Sequence, residues 1–352
     1  MSRAWVLVAA LVAAGCGAGH VSRRPASTEQ FGASVNLLFN GRNLSDAEIG
    51  SQLAALEATG ATLARSDALW EATEPAPPVN GVHSYNWSFD DRIAASLAAH
   101  RLRWLPIVDY SARWGQSIPG QDHSPPTLSA DYAAYAGALA ARYGPDGSFW
   151  REHPELPSLP VQAFEIWNEP NSSFFWVPRP DPARYAELYD AARTAIHAED
   201  PTATVLIGGL ANGPPFVAPM LAAVPSLRID GVAIHPYDVS PAAVAAKVAE
   251  TRQMLDVLGL KTAALYVTEV GWTTSPPGAL DYLPETLRPA YIEQTLRSLD
   301  SCGVAASIVY TWFSPRQNPR DSQQWFGLSG SEADVRAFAA GLREATLQRE
   351  RC

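Results

Sequence analysis

Apolar residues fall along this chain in two alternating rhythms. Short, nearly continuous apolar runs occupy Ala33–Phe39, Thr62–Ser66, Leu102–Tyr110, Val161–Asn168, Thr204–Leu210, Gly231–His235, Ala264–Val270 and Ala305–Trp312, and they predict eight strands. The segments between them space their apolar residues by three and four. They predict helices over Ser45–Thr59, Ser88–His100, Ser129–Tyr143, Pro182–Ala198, Pro215–Val224, Pro241–Leu258, Pro284–Leu299 and Glu332–Leu347. The first opens with Ser45 and Glu48 in capping-box register. Pro182 and Pro284 stand where a first helical turn tolerates proline.

Eight strand-then-helix units in one chain of 352 residues predict a single (β/α)8 TIM barrel. A doubly wound sheet would place a glycine-rich phosphate turn after its first strand. Phe39-Asn40-Gly41-Arg42 stands there instead, and no GxGxxG occurs. The long connections are those after strands two, three, four and eight (67–87, 111–128, 170–180 and 313–330). All lie on the face where barrels build their sites.

The N-terminus follows another pattern. Arg3 precedes the apolar stretch AWVLVAALVAAG, which is too short to span a membrane, and Ala13-Ala14-Gly15-Cys16 closes it. This resembles a bacterial lipoprotein signal with Cys16 as the lipidated residue, a plain secretory signal being the alternative. The expected organisation is a signal over residues 1–16, a tether over 17–30 and the barrel over 31–352. The mature chain is then extracytoplasmic, either membrane-anchored through Cys16 or secreted. Cys302 and Cys352 remain as an even pair in an oxidising compartment. One precedes the eighth strand and the other follows the last helix, so both belong to the bottom of the barrel and a disulfide is expected between them.

The net charge of −10 and a pI near 5.2 argue against nucleic acid or an anionic membrane surface as partner. No CxxC or HExxH occurs, so neither a metal nor a cofactor is expected, and nothing calls for more than a monomer. Eleven tryptophans and twelve tyrosines exceed what packing demands and are either extra aromatic core or platforms for a ligand.

The chemistry collects at the strand ends. Strand four runs into Trp-Asn-Glu-Pro-Asn, with Pro170 disfavouring helical geometry at Glu169 and so predicting an extended tip. Strand two ends near Arg65, strand six in His235-Pro-Tyr237, strand seven in Glu269 and strand eight in Trp312. Glu169 and Glu269 would face each other over the barrel mouth, an arrangement suited to cleaving a glycosidic bond. One acid protonates the leaving oxygen while the other attacks the anomeric carbon. Asn168 fits a sugar 2-hydroxyl, Arg65 and Tyr237 would keep Glu269 ionised, and Trp312 would offer its ring face. Glu165 shares the inward parity and is a competing partner for Arg65. Trp176 and Trp272 lie beside mouth loops as further sugar platforms.

Together WNEP, HPY, TEVGW and the eighth-strand tryptophan resemble the clan A retaining glycoside hydrolases. Within that clan Asn168–Trp176, NEPNSSFFW, is most similar to family 39, and WFGL at Trp325–Leu328 is similar to a segment found after strand eight. The resemblance implies a retaining glycosidase acting on O-glycosyl bonds of an oligo- or polysaccharide. By it Glu169 is the acid/base and Glu269 the nucleophile, with Asn168, His235, Tyr237, Arg65 and Trp312 beside them. Strand three departs, ending Val108-Asp109-Tyr110 where some members present a histidine. The alternative is a non-catalytic carbohydrate-binding lipoprotein on the same barrel. A serine esterase lacks its GxSxG elbow here.

Overall fold

A computed structural model describes residues 30–40, 44–275, 282–301, 303–315 and 318–345. The expected signal and tether through residue 29, Cys16 among them, and the cysteines Cys302 and Cys352 lie outside the described residues. Among the described residues no helix is long and apolar enough to cross a membrane.

Eight parallel strands close into a barrel in sequence order. They are β1 (Gln30–Ser34), β2 (Leu63–Leu69), β3 (Arg103–Asp109), β4 (Ala163–Ile166), β5 (Thr204–Ala211), β6 (Gly231–His235), β7 (Ala264–Val270) and β8 (Ala306–Val309). The helices packed around them are α1 (Asp46–Glu57), α2 (Ser88–Ala99), α3 (Ser129–Tyr143), α4 (Pro182–Glu199), α5 (Val217–Ala223), α6 (Pro241–Val257), α7 (Arg288–Ser301) and α8 (Glu332–Ala345). The capping box at Ser45 and Glu48 forms as expected, and Pro182 and Pro241 begin their helices. The fold is therefore a (β/α)8 barrel.

One predicted strand is divided. β1 ends at Ser34, and Asn36–Phe39 makes a helical turn that buries Leu38 and Phe39. A short apolar run does not distinguish strand from helix by period, and here the side chain of Asn36 is drawn inward to Asp67.

Inside the barrel the strands stack their inward residues in layers. Towards the bottom is an apolar cluster formed by Leu63, Leu105, Ala163, Leu206, Ala233, Ala306 and Ile308 with Tyr266 against them. Two residues further along the same strands stand Arg65, Ile107, Glu165 and His235, and above them Asp67, Asp109 and Tyr237. A period of two thus converts an apolar floor into a polar mouth. The larger core lies between the barrel and its helices and takes most of the aromatic residues.

Candidate active site

At the centre of the mouth stands Arg65, with no exposed surface. Its Nε and Nη2 donate to the two oxygens of Glu165 at 2.7 and 2.9 Å. Nη1 donates to Glu269 Oε1 at 2.6 Å, and Nη2 also reaches Asn168 Oδ1 at 2.9 Å. The guanidinium fork therefore serves both its possible partners at once, and it locks three strands into one arrangement.

Two irregularities in the barrel aim these groups. Between β5 and β6 the register slips at Ile207/Leu210, so that Gly208 and Gly209 together stand opposite the single residue Ala233. Gly209 N–H consequently donates to Glu165 at 2.7 Å. A side chain on Gly209 would overlap His235, since a Cβ there would sit 2.0 Å from Nε2. Between β7 and β8 the register slips again at Val267/Val270. Strict alternation would send Glu269 outward, because Thr268 already faces inward and donates to Glu165 at 3.1 Å. The bulge lets adjacent residues both serve the interior.

Glu269 accepts from Arg65 on one oxygen and from the Tyr237 hydroxyl on the other, the latter at 2.8 Å. Burial opposes its ionisation, but the charges of His235 and Arg65 and the hydrogen bonds from Tyr237 and Arg65 prevail, holding the carboxyl below its ordinary range. Across the mouth, Glu169 Oε1 lies 2.8 Å from His235 Nδ1. Burial pulls the His235 imidazole down, yet the charges of Glu269 and Glu169 and the bond to Glu169 raise it above its usual value.

Glu169 does not sit on an extended tip. β4 ends at Ile166, and Trp167 and Glu169 both take left-handed backbone, with φ of 67° and 45°. This breaks the alternation that would have pointed Trp167 inward. Its indole is buried outside the barrel against Trp176 and Tyr132, while Glu169 returns to the cleft. Glu169, His235 and Glu269 each bring one ligand atom within 4.8 Å of the others. Both oxygens of Glu269 are already taken, one by a guanidinium, which disfavours a divalent cation there.

The cleft has a volume of about 680 Å3 and is lined by Asn168, Glu169, His235, Tyr237 and Glu269 from the expected set. Arg65 lies just beneath. The three expected tryptophans are elsewhere. Trp312 is fully buried, its indole donating to Gln52 O at 2.9 Å and its ring against Phe338. Trp176 is buried between Trp167 and Tyr185. Trp272 donates to Asp238 O and packs edge-on to Tyr291. Trp312 and Trp272 satisfy their N–H groups on backbone carbonyls and Trp176 is covered by rings, so none presents a ring to the cleft.

Asn36, Asp67, Tyr110, Phe174, Phe175, Tyr310 and Gln323, which the sequence pattern does not single out, also line the cleft. Asp67 had a signal, its spacing of two from Arg65, but β2 was expected to end at Ser66 and in fact continues to Leu69. Its carboxylate accepts from Asn36 Nδ2 at 2.6 Å and from Asn40 Nδ2. Burial, against the opposing charge of Arg65, pushes Asp67 up to about 7. Asp109 at the end of β3 is fully buried, and neither of its carboxyl oxygens has a hydrogen-bond partner among the described residues. Burial and the neighbouring Asp67 charge drive it well above the carboxylate range.

No family model matches this sequence, and no curated protein matches it either. Solved structures do. A family 39 glycoside hydrolase from Bacteroides cellulosilyticus WH2 superposes with a TM-score of 0.67 at 20% identity, over 90% of this chain and 64% of that one. A GH39 β-xylosidase from Caulobacter crescentus gives 0.64 at 22% identity, over 90% and 71%. A family 5 glycoside hydrolase from Bifidobacterium longum subsp. longum gives 0.66 at 11% identity, over 92% and 80%. This chain thus spans just under two thirds of the first of these and somewhat more of the others. At such identities the likeness is one of fold: over about nine-tenths of its length the chain is built like glycoside hydrolases of families 39 and 5.

Proposed function

We propose that this protein is a retaining glycoside hydrolase, with Glu269 as nucleophile and Glu169 as acid/base. The observation that carries the reading is the pair itself. Carboxylate oxygens of the two glutamates lie within 4.8 Å across one cleft. Retaining enzymes hold their carboxyl groups about 5–5.5 Å apart, whereas inverting ones leave about 6.5–9.5 Å for a water.

The surroundings divide the two roles. Glu269, fed by a guanidinium and a phenol, is kept ionised and oriented to attack the anomeric carbon. Glu169, steadied by His235, delivers a proton to the departing glycosidic oxygen. The bond from that oxygen to the anomeric carbon breaks as the bond to Glu269 forms. A water then enters, Glu169 removes its proton, and the glycosyl–Glu269 ester is hydrolysed. Asn168 gives its carbonyl oxygen to Arg65, so its amide N–H groups are free to meet a substrate hydroxyl. The sugar that is cut, its linkage and exo or endo action belong to loop contacts beyond this pair.

Replacement separates the roles. Glu269→Ala should lose turnover on every substrate. Glu169→Ala should still form the covalent intermediate from substrates with good leaving groups, which then decays slowly. The assay is pre-steady-state release of an activated aryl leaving group beside hydrolysis of an unactivated glycoside. Equal losses on both substrates for both variants would sink the assignment. Saccharide binding without turnover by the wild type would favour the carbohydrate-binding alternative. We further propose that the chain works outside the cytoplasm, either anchored by lipid at Cys16 or secreted; with the anchor, Cys16→Ser should move it from the membrane fraction to the soluble one. An unchanged distribution would count against the anchor.

A further inference from the structure

With Trp312, Trp176 and Trp272 withdrawn into the core, the most exposed aromatic ring lining the cleft among the described residues is Phe174. Phe174 is 69% exposed and still lines the cleft. Isolated exposed apolar residues are ordinary on protein surfaces, as Val239 and Val257 are here. Phe174 differs in being part of the cleft wall and in being rigidly backed.

The support comes from both neighbouring loops. The turn after Glu169 is closed by Ser172 N–H to Glu169 O and Trp176 N–H to Ser172 O, each at 2.9 Å. The Phe174 ring meets Phe175 edge-on at 4.8 Å and His123 at 5.7 Å. His123 Nδ1 lies 2.8 Å from Phe174 O, and Val177 N–H donates to His123 O at 3.1 Å, so the loops after β3 and β4 are tied together. Phe175 lies nearly parallel to Tyr110, which also lines the cleft. A ring fixed in water by this scaffold leaves apolar area that a ligand's C–H groups can cover without paying for its ordering.

The direction follows from the proposed chemistry. Glu269 on β7 bonds the anomeric carbon, and Glu169 after β4 protonates the oxygen leading away from it. The line across the mouth from β7 to β4 runs from the retained sugar to the departing one, and the Phe174 turn stands at its far end. We propose that Phe174, backed by His123 and Phe175, is the platform for the sugar on the leaving-group side, so that the substrate is an oligo- or polysaccharide. This rests on the glycosidase reading and adds the leaving group's identity to it.

The test compares leaving groups with and without a sugar. Wild type, Phe174→Ala and Phe174→Trp are assayed on xylohexaose, cellohexaose and mannohexaose, and on glycosyl fluorides of the same three sugars in both anomeric forms. Fluoride has nothing to lay on Phe174. The loss of kcat/KM in Phe174→Ala should be about tenfold greater on the cleaved hexasaccharide than on the fluoride, mostly in KM, with Phe174→Trp restoring it. Equal losses on the two substrate types, or none on the hexasaccharide, would overturn the platform while leaving the glycosidase standing. A wild type that cleaves fluorides and no saccharide would overturn it too. A wild type that cleaves nothing would overturn both readings.

Discussion

Arg65 offers the sharpest separation of stability from chemistry in this molecule. Replacing it by methionine keeps most of the side-chain volume and removes one buried cation that serves two buried carboxylates. Removing one partner of a buried ion pair typically costs about 3–5 kcal/mol, because the other charge stays behind. Glu165 would keep its bonds from Gly209 and Thr268, and Glu269 its bond from Tyr237, which places the cost near the lower end. A loss of about 3 kcal/mol in a barrel of this size corresponds to roughly 4–5 °C in Tm. Adding Glu165→Gln then neutralises the stranded charge while leaving an acceptor for Gly209 and Thr268. The double variant should be more stable than Arg65→Met alone, with a coupling of about 1–3 kcal/mol. Hydrolytic activity should not return, because Glu269 still lacks its guanidinium. Denaturant unfolding of the four proteins of the cycle, beside their kcat/KM, is the measurement. Additivity within about 0.5 kcal/mol, or activity recovered together with stability, would refute the reasoning.

Other outcomes test other parts of the site. Glu269 is depressed in the fold, so activity that needs its ionised form holds above that low pKa and is lost as pH falls through it. Tyr237→Phe removes one bond that favours ionisation, and the acid limb of the kcat/KM profile should move to higher pH; an unmoved limb would contradict the assignment. Trp312→Ala should cost about 3–5 kcal/mol of stability by opening a core cavity, with KM changing little in whatever remains folded. A selective rise in KM without destabilisation would return Trp312 to the cleft. Gly209→Ala would drive a methyl into the His235 ring, and kcat should fall at least tenfold while circular dichroism stays barrel-like. Near wild-type kcat would show that His235 can yield without consequence.

The strand and helix alternation was written in the sequence because it depends on local spacing: period two for a strand buried by its neighbours, period 3.6 for a helix with one covered face. The same locality made Glu169, Glu269, His235 and Tyr237 visible as polar residues at the ends of apolar runs. Where each side chain went was decided by closure of the barrel. Glu269 faces the cleft beside an inward Thr268 only because β7 bulges against β8, and nothing in ALYVTEV announces an extra residue whose position is set by its partner strand. Trp312, Trp176 and Trp272 carry the composition of a sugar site, yet Trp312 and Trp272 found acceptors for their N–H groups and all three found rings to cover them, so burial outcompeted exposure. Phe174 shows the reverse, an apolar residue kept in water by a loop whose backbone is fixed from both sides. Sequence determines which residues reach the mouth of this barrel, because that is a count along a strand. Only the tertiary structure decides which of them turn into it, because that depends on register and packing between strands far apart in the chain.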